Sequence, residues 1–380
     1  MKTLRFCWLL VLSSCGAMVL DSPDASTVVV ADAGVDQDAG AERDAGADQD
    51  AGVDQDAGVP DAGVLDAGVP DAGARDAGAP DAGAPDAGLP DAGTRQPPPL
   101  PTYSMGACPT LVFGTDGTSG RNLQFRSAGD SREFVLLVPT NYTPTKKYPV
   151  VFGYHWLNAS ANSVIRDAEL TSAIEQYQFI AVVPENLMNG STKAYQFDWP
   201  FVETPAAPKE LTFFEDLLAC VGQQFSVDLA RVHVFGASAG GLWTTYLSTT
   251  PQVARVASVF TISGGLGEVL GVWRIPFVAQ PNKFPALIVW GGPTDWLGVN
   301  FDQASKRYRD ALKTDGHAVF TCEHSAGHGI PPWAAPIDGG TRFPMFWDFF
   351  RDHPLGLPAG STPYAGGLPS TFPMGCRRVP

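Results

Sequence analysis

The sequence predicts an α/β fold in which a doubly wound, mostly parallel sheet is covered by helices on both faces. Seven short segments of residues 101–380 are apolar with little alternation, which is typical of strands buried on both sides. Segments with helical periodicity lie between most of them, and alternation of strand and helix favours a doubly wound sheet. This length suits one large domain of that class.

The predicted strands are residues 134–138, 150–154, 179–183, 232–235, 256–262, 286–290 and 318–322. The predicted helices are residues 161–177, 210–225, 240–248, 301–314 and 343–351. Sheets of this class bind their ligands outside the carboxyl ends of the strands. We therefore expect functional side chains to follow strands directly.

The composition changes near residue 100, which is the predicted domain boundary. Residues 1–99 contain five Lys and Arg against 18 Asp and Glu, a net charge of −13, and almost no aromatic residue. Residues 100–380 contain 20 Lys and Arg against 22 Asp and Glu, a net charge of −2. Because the globular part is nearly neutral, no nucleic-acid-binding face is expected.

The N-terminus predicts an export signal over residues 1–15. Lys2 and Arg5 precede an apolar run that is too short to span a membrane. The run ends in Leu-Ser-Ser-Cys, which resembles a bacterial lipoprotein signal box. That resemblance implies lipidation of Cys15 and an exported protein of the cell envelope, in the periplasm or on the outer surface, with the lipid as its membrane contact. Plain secretion with cleavage after a small residue such as Ala17 is the alternative.

Residues 16–100 are predicted to form a disordered tether. Asp-Ala-Gly recurs there at hexapeptide and then pentapeptide spacing, with Pro in many repeats. The repeats have no apolar periodicity with which to build a core, and regularly spaced like charges favour an extended, solvated chain. Calcium binding by the carboxylates is the alternative, although glycine- and aspartate-rich calcium repeats also contain an apolar residue in each repeat.

The segment from Arg231 to Gly241 predicts a nucleophilic serine. An apolar strand is followed by the pattern G-x-S-x-G, formed by Gly236, Ser238 and Gly240, and then by a helix. On such a turn the hydroxyl projects clear of the backbone, and the helix N-terminus offers the backbone N–H of Ala239 to an oxyanion. An ordinary tight turn is the alternative.

Asp295 and His328 are the predicted partners of this serine. Each lies in a Gly-containing loop after a predicted strand, and the chain order Ser, Asp, His is that of many hydrolases. A turn aspartate is the alternative for Asp295, and His324 is the rival base. His233 is expected to pack within the sheet, whereas His317 and His353 are expected to be exposed. No Cys and His cluster has zinc spacing, and no cofactor is expected.

A second oxyanion donor is expected in the loop after residues 150–154. The backbone N–H of Trp156 is the candidate, and a surface aromatic turn is the alternative. His155, Trp199 and Trp333 are candidates for the border of a substrate cleft, and simple packing is their alternative.

These residues resemble those of a known family, the secreted polyhydroxybutyrate-depolymerase and feruloyl-esterase-like α/β-hydrolases. The resemblance covers most of residues 103–380 and is carried by segments 105–108, 132–139, 148–158, 184–187, 210–218, the Ser238 turn, 291–295 and 327–329. It implies the α/β-hydrolase fold, Ser238 as nucleophile, Asp295 as acid, His328 as base, and oxyanion donors near Trp156 and Ala239. The sequence differs where many members have His-Gly in place of His155-Trp156, and an Asp in place of Glu210.

The globular part contains four cysteines, Cys108, Cys220, Cys322 and Cys376, which in an oxidising compartment favour two disulfides among three possible pairings. One expectation joins the two ends of the domain through Cys108 and Cys376, leaving Cys220 with Cys322.

The sequence as a whole predicts a surface-anchored or secreted serine esterase. The resemblance implies feruloyl or acetyl esters of polysaccharides, or polyhydroxyalkanoates, as substrates. A peptidase or thioesterase is a weaker alternative on the same residues. The alternative from another class is a binding protein for carbohydrate or polymer that has the same fold and an idle triad.

Overall fold

A computed structural model of the protein describes residues 95–195, 197–200, 207–269, 273–333 and 341–380. The predicted export signal, Cys15 and the tether up to residue 94 lie outside the described residues.

Nine strands form one sheet: β1 (Arg121–Ser127), β2 (Asp130–Leu137), β3 (Tyr148–Tyr154), β4 (Ile180–Pro184), β5 (Val227–Ala237), β6 (Ser258–Ile262), β7 (Ala286–Trp290), β8 (Val319–Glu323) and β9 (Cys376–Arg378). Six α-helices accompany them: α1 (Ala161–Asp167), α2 (Leu170–Tyr177), α3 (Ala207–Gln224), α4 (Ala239–Ser248), α5 (Phe301–Thr314) and α6 (Pro344–Asp352). Among the described residues, none of these helices combines the length and the hydropathy needed to cross a bilayer.

The spatial order of the sheet is β1-β2-β4-β3-β5-β6-β7-β8-β9. The five pairs from β4 to β8 are parallel, and antiparallel pairs stand at both edges. The order reverses between β4 and β3, so the chain winds outward in both directions from the centre. The predicted doubly wound, mostly parallel sheet is therefore confirmed.

Helices cover both faces of the sheet, as predicted. On the central strand β3, Val150 and Phe152 belong to one buried cluster and Val151 belongs to the other. Helices α3, α4 and α5 pack in the first cluster, whereas α1, α2 and α6 pack in the second. Alternate side chains of each central strand are thus buried on opposite faces, which explains the absence of a polar and apolar alternation in the sequence.

Two features of the fold differ from the prediction. The edge strands β1 and β9 were not expected. The single helix predicted over residues 161–177 is two helices, α1 and α2, separated at Glu169, whose φ is +53°. The carboxylate of Glu169 accepts hydrogen bonds from the backbone N–H and Nε of Arg342, 173 residues away. A partner so distant in sequence gives no local signal.

The expected disulfide pairing is wrong. The structure joins Cys108 to Cys220 and Cys322 to Cys376. Cys322 and Cys376 are directly opposed in the antiparallel pair of β8 and β9. Cys108 lies on a segment attached to α3, where the backbone N–H of Leu111 donates to the side chain of Gln224. Neighbours in the fold, across the sheet for one pair and between a loop and α3 for the other, determine the pairing.

Candidate active site

Ser238 lies at the turn between β5 and α4 in a strained conformation, with φ 53° and ψ −117°. A left-handed φ is uncommon for a residue with a Cβ and is frequent at functional sites. A Cβ on Gly236 would lie 2.2 Å from the carbonyl oxygen of Gly240, and a Cβ on Gly240 would lie 2.3 Å from that of Tyr154. Both glycines of the G-x-S-x-G pattern are therefore required by the tight packing of this turn.

Asp295 follows β7 through a short 3₁₀ turn, Gly292–Thr294, and its side chain is completely buried. Its Oδ2 accepts hydrogen bonds from Ser263 Oγ at 2.7 Å and from the backbone N–H of Gly291 at 2.8 Å. Its Oδ1 lies 2.7 Å from Nδ1 of His328. The two donors fix the carboxylate so that its remaining oxygen faces the imidazole.

His328 lies between Asp295 and Ser238. Its Nε2 is 2.9 Å from Ser238 Oγ, and its ring stacks on Phe301 with centroids 4.5 Å apart. Because a carboxylate can only accept, the Nδ1 of His328 donates to Asp295, which leaves the Nε2 lone pair of the neutral ring facing the hydroxyl. A general base needs this tautomer.

A close contact between two loops brings His328 to this position. A Cβ on Gly291 would lie 1.8 Å from the carbonyl oxygen of Gly327, whose own φ is +60°. Glycine at both positions lets the loop after β8 pack on the loop after β7. His324, the rival base, is buried, and its Nδ1 accepts a hydrogen bond from the backbone N–H of Ala326. The structure therefore brings His328, and not His324, to Ser238.

The two backbone groups expected to bind an oxyanion lie at neighbouring strand ends. Ala239 is the first residue of α4, so its N–H has no carbonyl within the helix to pair with. Trp156 lies two residues beyond β3, and β3 is paired with β5 so that Tyr154 is opposite Gly236. The parallel register thus places the loop of Trp156 beside the turn of Ser238.

Ser238 and His328 open onto a cavity of about 300 Å³. Its walls are mainly apolar and lie around the carboxyl ends of the central strands. They are formed by Tyr154, Trp156, Leu157, Val164, Ala168, Phe235, Ile262, Phe343 and Phe346. Leu297 and Ile330, whose side chains are each about half exposed, contribute to its mouth. Asp167 of α1 also lines the cavity. Its carboxylate is separate from the hydrogen-bonded pair of Ser238 and His328.

The structure does not place the three cleft candidates in this cavity. His155 and Trp199 are completely buried beneath the loop of Trp156, with ring centroids 4.8 Å apart. Trp333 lines a different surface cavity, together with His324 and Glu323. The expectation is therefore corrected for His155 and Trp199, because local sequence could not distinguish packing under a loop from exposure on it. The walls contributed by α1 and α6 were missed for the same reason.

Two further histidines differ from expectation. His317 and His353 were expected to be exposed, but both are buried and have hydrogen-bond partners on both ring nitrogens. Burial lowers the pKa of His317 and lowers the pKa of His353 to about 4. His233 packs within the sheet, as expected. In the described part of the chain, no group of His, Cys, Asp and Glu side chains has an arrangement that could hold a metal ion.

The chain is similar to curated proteins over part of its length. It is 26% identical over 166 residues to feruloyl esterase C of Emericella nidulans and 23% identical over 166 residues to the probable feruloyl esterase C of Aspergillus terreus. These matches cover 42% of this chain and 53% of each relative, so they span about half of the relatives' length. No protein-family model matches the chain.

Solved structures resemble it over most of the described residues. A variant of pOPH in complex with DMSO has a TM-score of 0.55 at 18% identity and covers 72% of this chain and 96% of its own. Native sOPH has a TM-score of 0.54 at 19% identity, and the match covers 74% of this chain and 97% of the sOPH chain. The predicted α/β-hydrolase fold is confirmed.

Proposed function

We propose that the protein is a serine hydrolase of carboxylic esters, with Ser238 as nucleophile, His328 as general base and Asp295 as its orienting carboxylate. One observation supports this proposal above all others. A continuous hydrogen-bonded chain runs from the buried Asp295 through His328 to Ser238 Oγ, over 2.7 Å and 2.9 Å, and ends at an open apolar cavity. This is the arrangement by which acyl-transfer enzymes activate a serine hydroxyl.

The reaction follows from the positions of these atoms. Ser238 Oγ attacks the ester carbonyl while its proton passes to Nε2 of His328, and Asp295 stabilises the resulting imidazolium. The oxyanion of the tetrahedral intermediate accepts hydrogen bonds from the backbone N–H groups of Ala239 and Trp156. The proton on Nε2 then passes to the leaving alcohol. Water, activated by the same nitrogen, hydrolyses the acyl-enzyme and restores the serine.

The cavity favours a compact, largely apolar acyl group. Phe346 of α6, Phe343 immediately before it and Val164 of α1 offer flat and aliphatic surfaces to an aromatic or short aliphatic chain. Asp167, whose two carboxylate oxygens already accept hydrogen bonds from the guanidinium of Arg166, retains lone pairs on an otherwise apolar wall, which suits an acyl group with a hydroxyl at its far end. Together with the names of the curated relatives, this supports a feruloyl ester as the first substrate candidate. The resemblance of the sequence to polyhydroxybutyrate depolymerases makes a polyhydroxyalkanoate the second.

A substrate panel tests the activity and its class. The full-length protein would be assayed with p-nitrophenyl acetate, methyl ferulate, methyl cinnamate, acetylated xylan and polyhydroxybutyrate, and labelled with a fluorophosphonate probe. We expect ester turnover, a preference for methyl ferulate over methyl cinnamate, and covalent labelling on the peptide that contains Ser238. Unlabelled Ser238 and no turnover of any ester would instead favour an idle, polymer-binding protein.

We propose in addition that the protein is exported and anchored through a lipid on Cys15, with the Asp-Ala-Gly repeats as a tether. The support is the basic and apolar N-terminus followed by Leu-Ser-Ser-Cys. Expression of the wild type and Cys15→Ala in a bacterial host tests this. We expect wild-type protein in the detergent-soluble membrane fraction and the variant in the aqueous fraction. Membrane retention of the variant would contradict the anchor.

A further inference from the structure

The peptide unit between His155 and Trp156 is held by a buried tryptophan. The indole Nε1–H of Trp199 donates a hydrogen bond of 2.9 Å to the carbonyl oxygen of His155. Trp199 is 1% exposed and packs edge-on against Tyr154, with ring centroids 5.3 Å apart. This carbonyl shares its peptide unit with the N–H of Trp156, the donor that the proposed reaction requires.

Because the peptide unit is planar, the hydrogen bond that orients the carbonyl of His155 also orients the N–H of Trp156. A trans peptide is planar, so the N–H of Trp156 points opposite to the carbonyl of His155. With the carbonyl directed at Trp199 in the buried layer, the N–H is directed away from that layer. Trp156 itself borders the cavity of Ser238 on the other side. Rotation of this peptide would turn the N–H away from the site of the oxyanion.

The helix that follows Ser238 holds the same carbonyl from another side. A Cβ on Gly240 would lie 2.6 Å from the carbonyl oxygen of His155. The first turn of α4 therefore packs directly on this peptide, and the peptide lies between α4 and the indole of Trp199. The contact between α4 and the 155–156 peptide thus sets the position of Trp156 relative to Ser238 and Ala239.

The residue before Trp199 holds the remainder of the loop. Asp198 is completely buried in a left-handed conformation with φ +67°, and its carboxylate accepts a hydrogen bond of 2.6 Å from the backbone N–H of Asn158. The Nδ1 of His155 lies 2.8 Å from the carbonyl oxygen of Trp156. Burial lowers the pKa of His155, which keeps its ring neutral at pH 7. The adjacent pair Asp198 and Trp199 therefore holds both ends of the loop 155–158.

We propose that Trp199 is a positioning residue that orients the backbone N–H of Trp156 towards the oxyanion through its hydrogen bond to the carbonyl of His155. This inference rests on the proposed function, because it assigns the source of preorganisation for the same site. A donor that is oriented before the reaction stabilises the transition state without a cost of reorganisation. A hydrogen bond to the carbonyl also polarises the peptide and strengthens donation by its N–H.

Trp199→Phe tests the inference, because phenylalanine retains an aromatic ring and removes the donor. The matched control is Trp347→Phe, which truncates another fully buried indole in the cluster on the opposite face of the sheet, where its Nε1 makes only a 3.5 Å contact to Thr341. Measurements are kcat and KM for p-nitrophenyl acetate, inhibition by a trifluoromethyl ketone that forms a tetrahedral adduct, and the melting temperature.

We expect Trp199→Phe to lower kcat by about 10- to 100-fold, with KM within about twofold, and to weaken the ketone by a similar factor. Trp347→Phe should lower the melting temperature and keep kcat within about threefold of the wild type. A kcat of Trp199→Phe equal to that of the control would overturn the inference, while inactive Ser238→Ala would leave the proposed function intact. If the wild type hydrolyses no ester, a crystal structure of Trp199→Phe decides: an unrotated 155–156 peptide overturns the inference, and a rotated one supports it.

Discussion

Two serine–histidine hydrogen bonds of similar length lie in the central sheet, and they differ in almost everything else. Ser238 Oγ is 2.9 Å from Nε2 of His328 at the carboxyl end of the central strands, where His328 is 17% exposed. Ser258 Oγ is 2.8 Å from Nδ1 of His233 in the sheet interior, where both side chains are completely buried. The first pair opens onto a cavity, whereas the second is covered by the ring of Phe350, stacked on His233.

A short hydrogen bond between serine and histidine does not by itself make the serine a nucleophile. Nδ1 of His328 has a carboxylate partner, Asp295, whereas Nε2 of His233 has no hydrogen-bond partner among the described residues. Burial, together with the positive charge of Arg231, lowers the pKa of His233 well below its usual value, so that ring resists accepting a proton. The pair of Ser238 and His328 differs from the pair of Ser258 and His233 in three ways: it has a carboxylate partner, it opens onto a cavity, and its serine lies in a strained turn.

Exchanging serine for alanine in each pair gives the largest contrast. We expect Ser238→Ala to lower kcat for p-nitrophenyl acetate by about 10⁶-fold, because the nucleophile is lost. Ser258→Ala should keep kcat within about threefold and lower the free energy of unfolding by about 1–3 kcal/mol, because His233 loses its partner. Steady-state kinetics and urea unfolding measure both effects. Comparable kcat losses in the two variants would mean that the comparison is wrong.

Removing the charge of the third partner gives the next largest effect. Asp295→Asn keeps the size of the side chain, but its amide cannot hold His328 in the required tautomer. We expect kcat to fall by about 10⁴-fold while KM changes little. Circular dichroism would verify the fold, and Asp310→Asn on the exposed side of α5 serves as a matched substitution. A kcat for Asp295→Asn near that of the wild type would remove Asp295 from the mechanism.

The buried histidines should make the protein sensitive to acid. Burial lowers the pKa of His353 from 6.5 to about 4, so the unfolded chain binds more protons than the native protein between these values. Stability is therefore complete above pH 6.5 and decreases as the pH falls towards 4. This histidine alone should lower the free energy of unfolding by about 2 kcal/mol between pH 7 and pH 5.

Urea unfolding at the two pH values measures this dependence, and the Cε1–H resonance of His353 in the wild type follows its titration directly. In His353→Gln the pH dependence of the unfolding free energy should be weaker by nearly one proton. A resonance that titrates near pH 6.5 in the native protein would show that burial does not control this ring.

The smallest effect is expected at the second oxygen of Asp295. Ser263 Oγ donates to Oδ2 at 2.7 Å, and the backbone N–H of Gly291 donates to the same oxygen. In Ser263→Ala one of these two donors remains, so we expect kcat to fall by about tenfold or less, equivalent to a loss of about 1 kcal/mol. Kinetics over a range of pH would measure it. A loss as large as that of Asp295→Asn would mean that Gly291 alone cannot orient the carboxylate.

Much of the fold and of the candidate site was predictable because the signals are local. The predicted segments 286–290 and 301–314 coincide with β7 and α5, and the other strands agree within a few residues. The G-x-S-x-G pattern locates Ser238 because Gly236 is required by a steric contact within the turn, with the carbonyl of Gly240, and Gly240 by the close approach of the Tyr154 carbonyl. The order of Ser238, Asp295 and His328 along the chain follows from their positions after β5, β7 and β8 of one sheet.

What depended on contacts between distant segments was not predictable. The Cys322–Cys376 bond follows the register of β9 against β8, and the break between α1 and α2 follows a carboxylate that binds Arg342. The cavity walls from α1 and α6 follow the packing of the helix layer against the sheet edge. Burial of His317 and His353 likewise follows from packing, since a single histidine carries no local signal of its environment.

Short sequence patterns therefore predict the class of the sheet and the position of the strained serine, because periodicity and backbone sterics act over a few neighbouring residues, and the chain order Ser, Asp, His indicates its two partners. Contacts between distant segments set which carbonyl Trp199 binds, which cysteines are bonded and which walls surround Ser238. Those outcomes depend on backbone register and helix packing between segments tens of residues apart, and no short stretch of sequence encodes such distances.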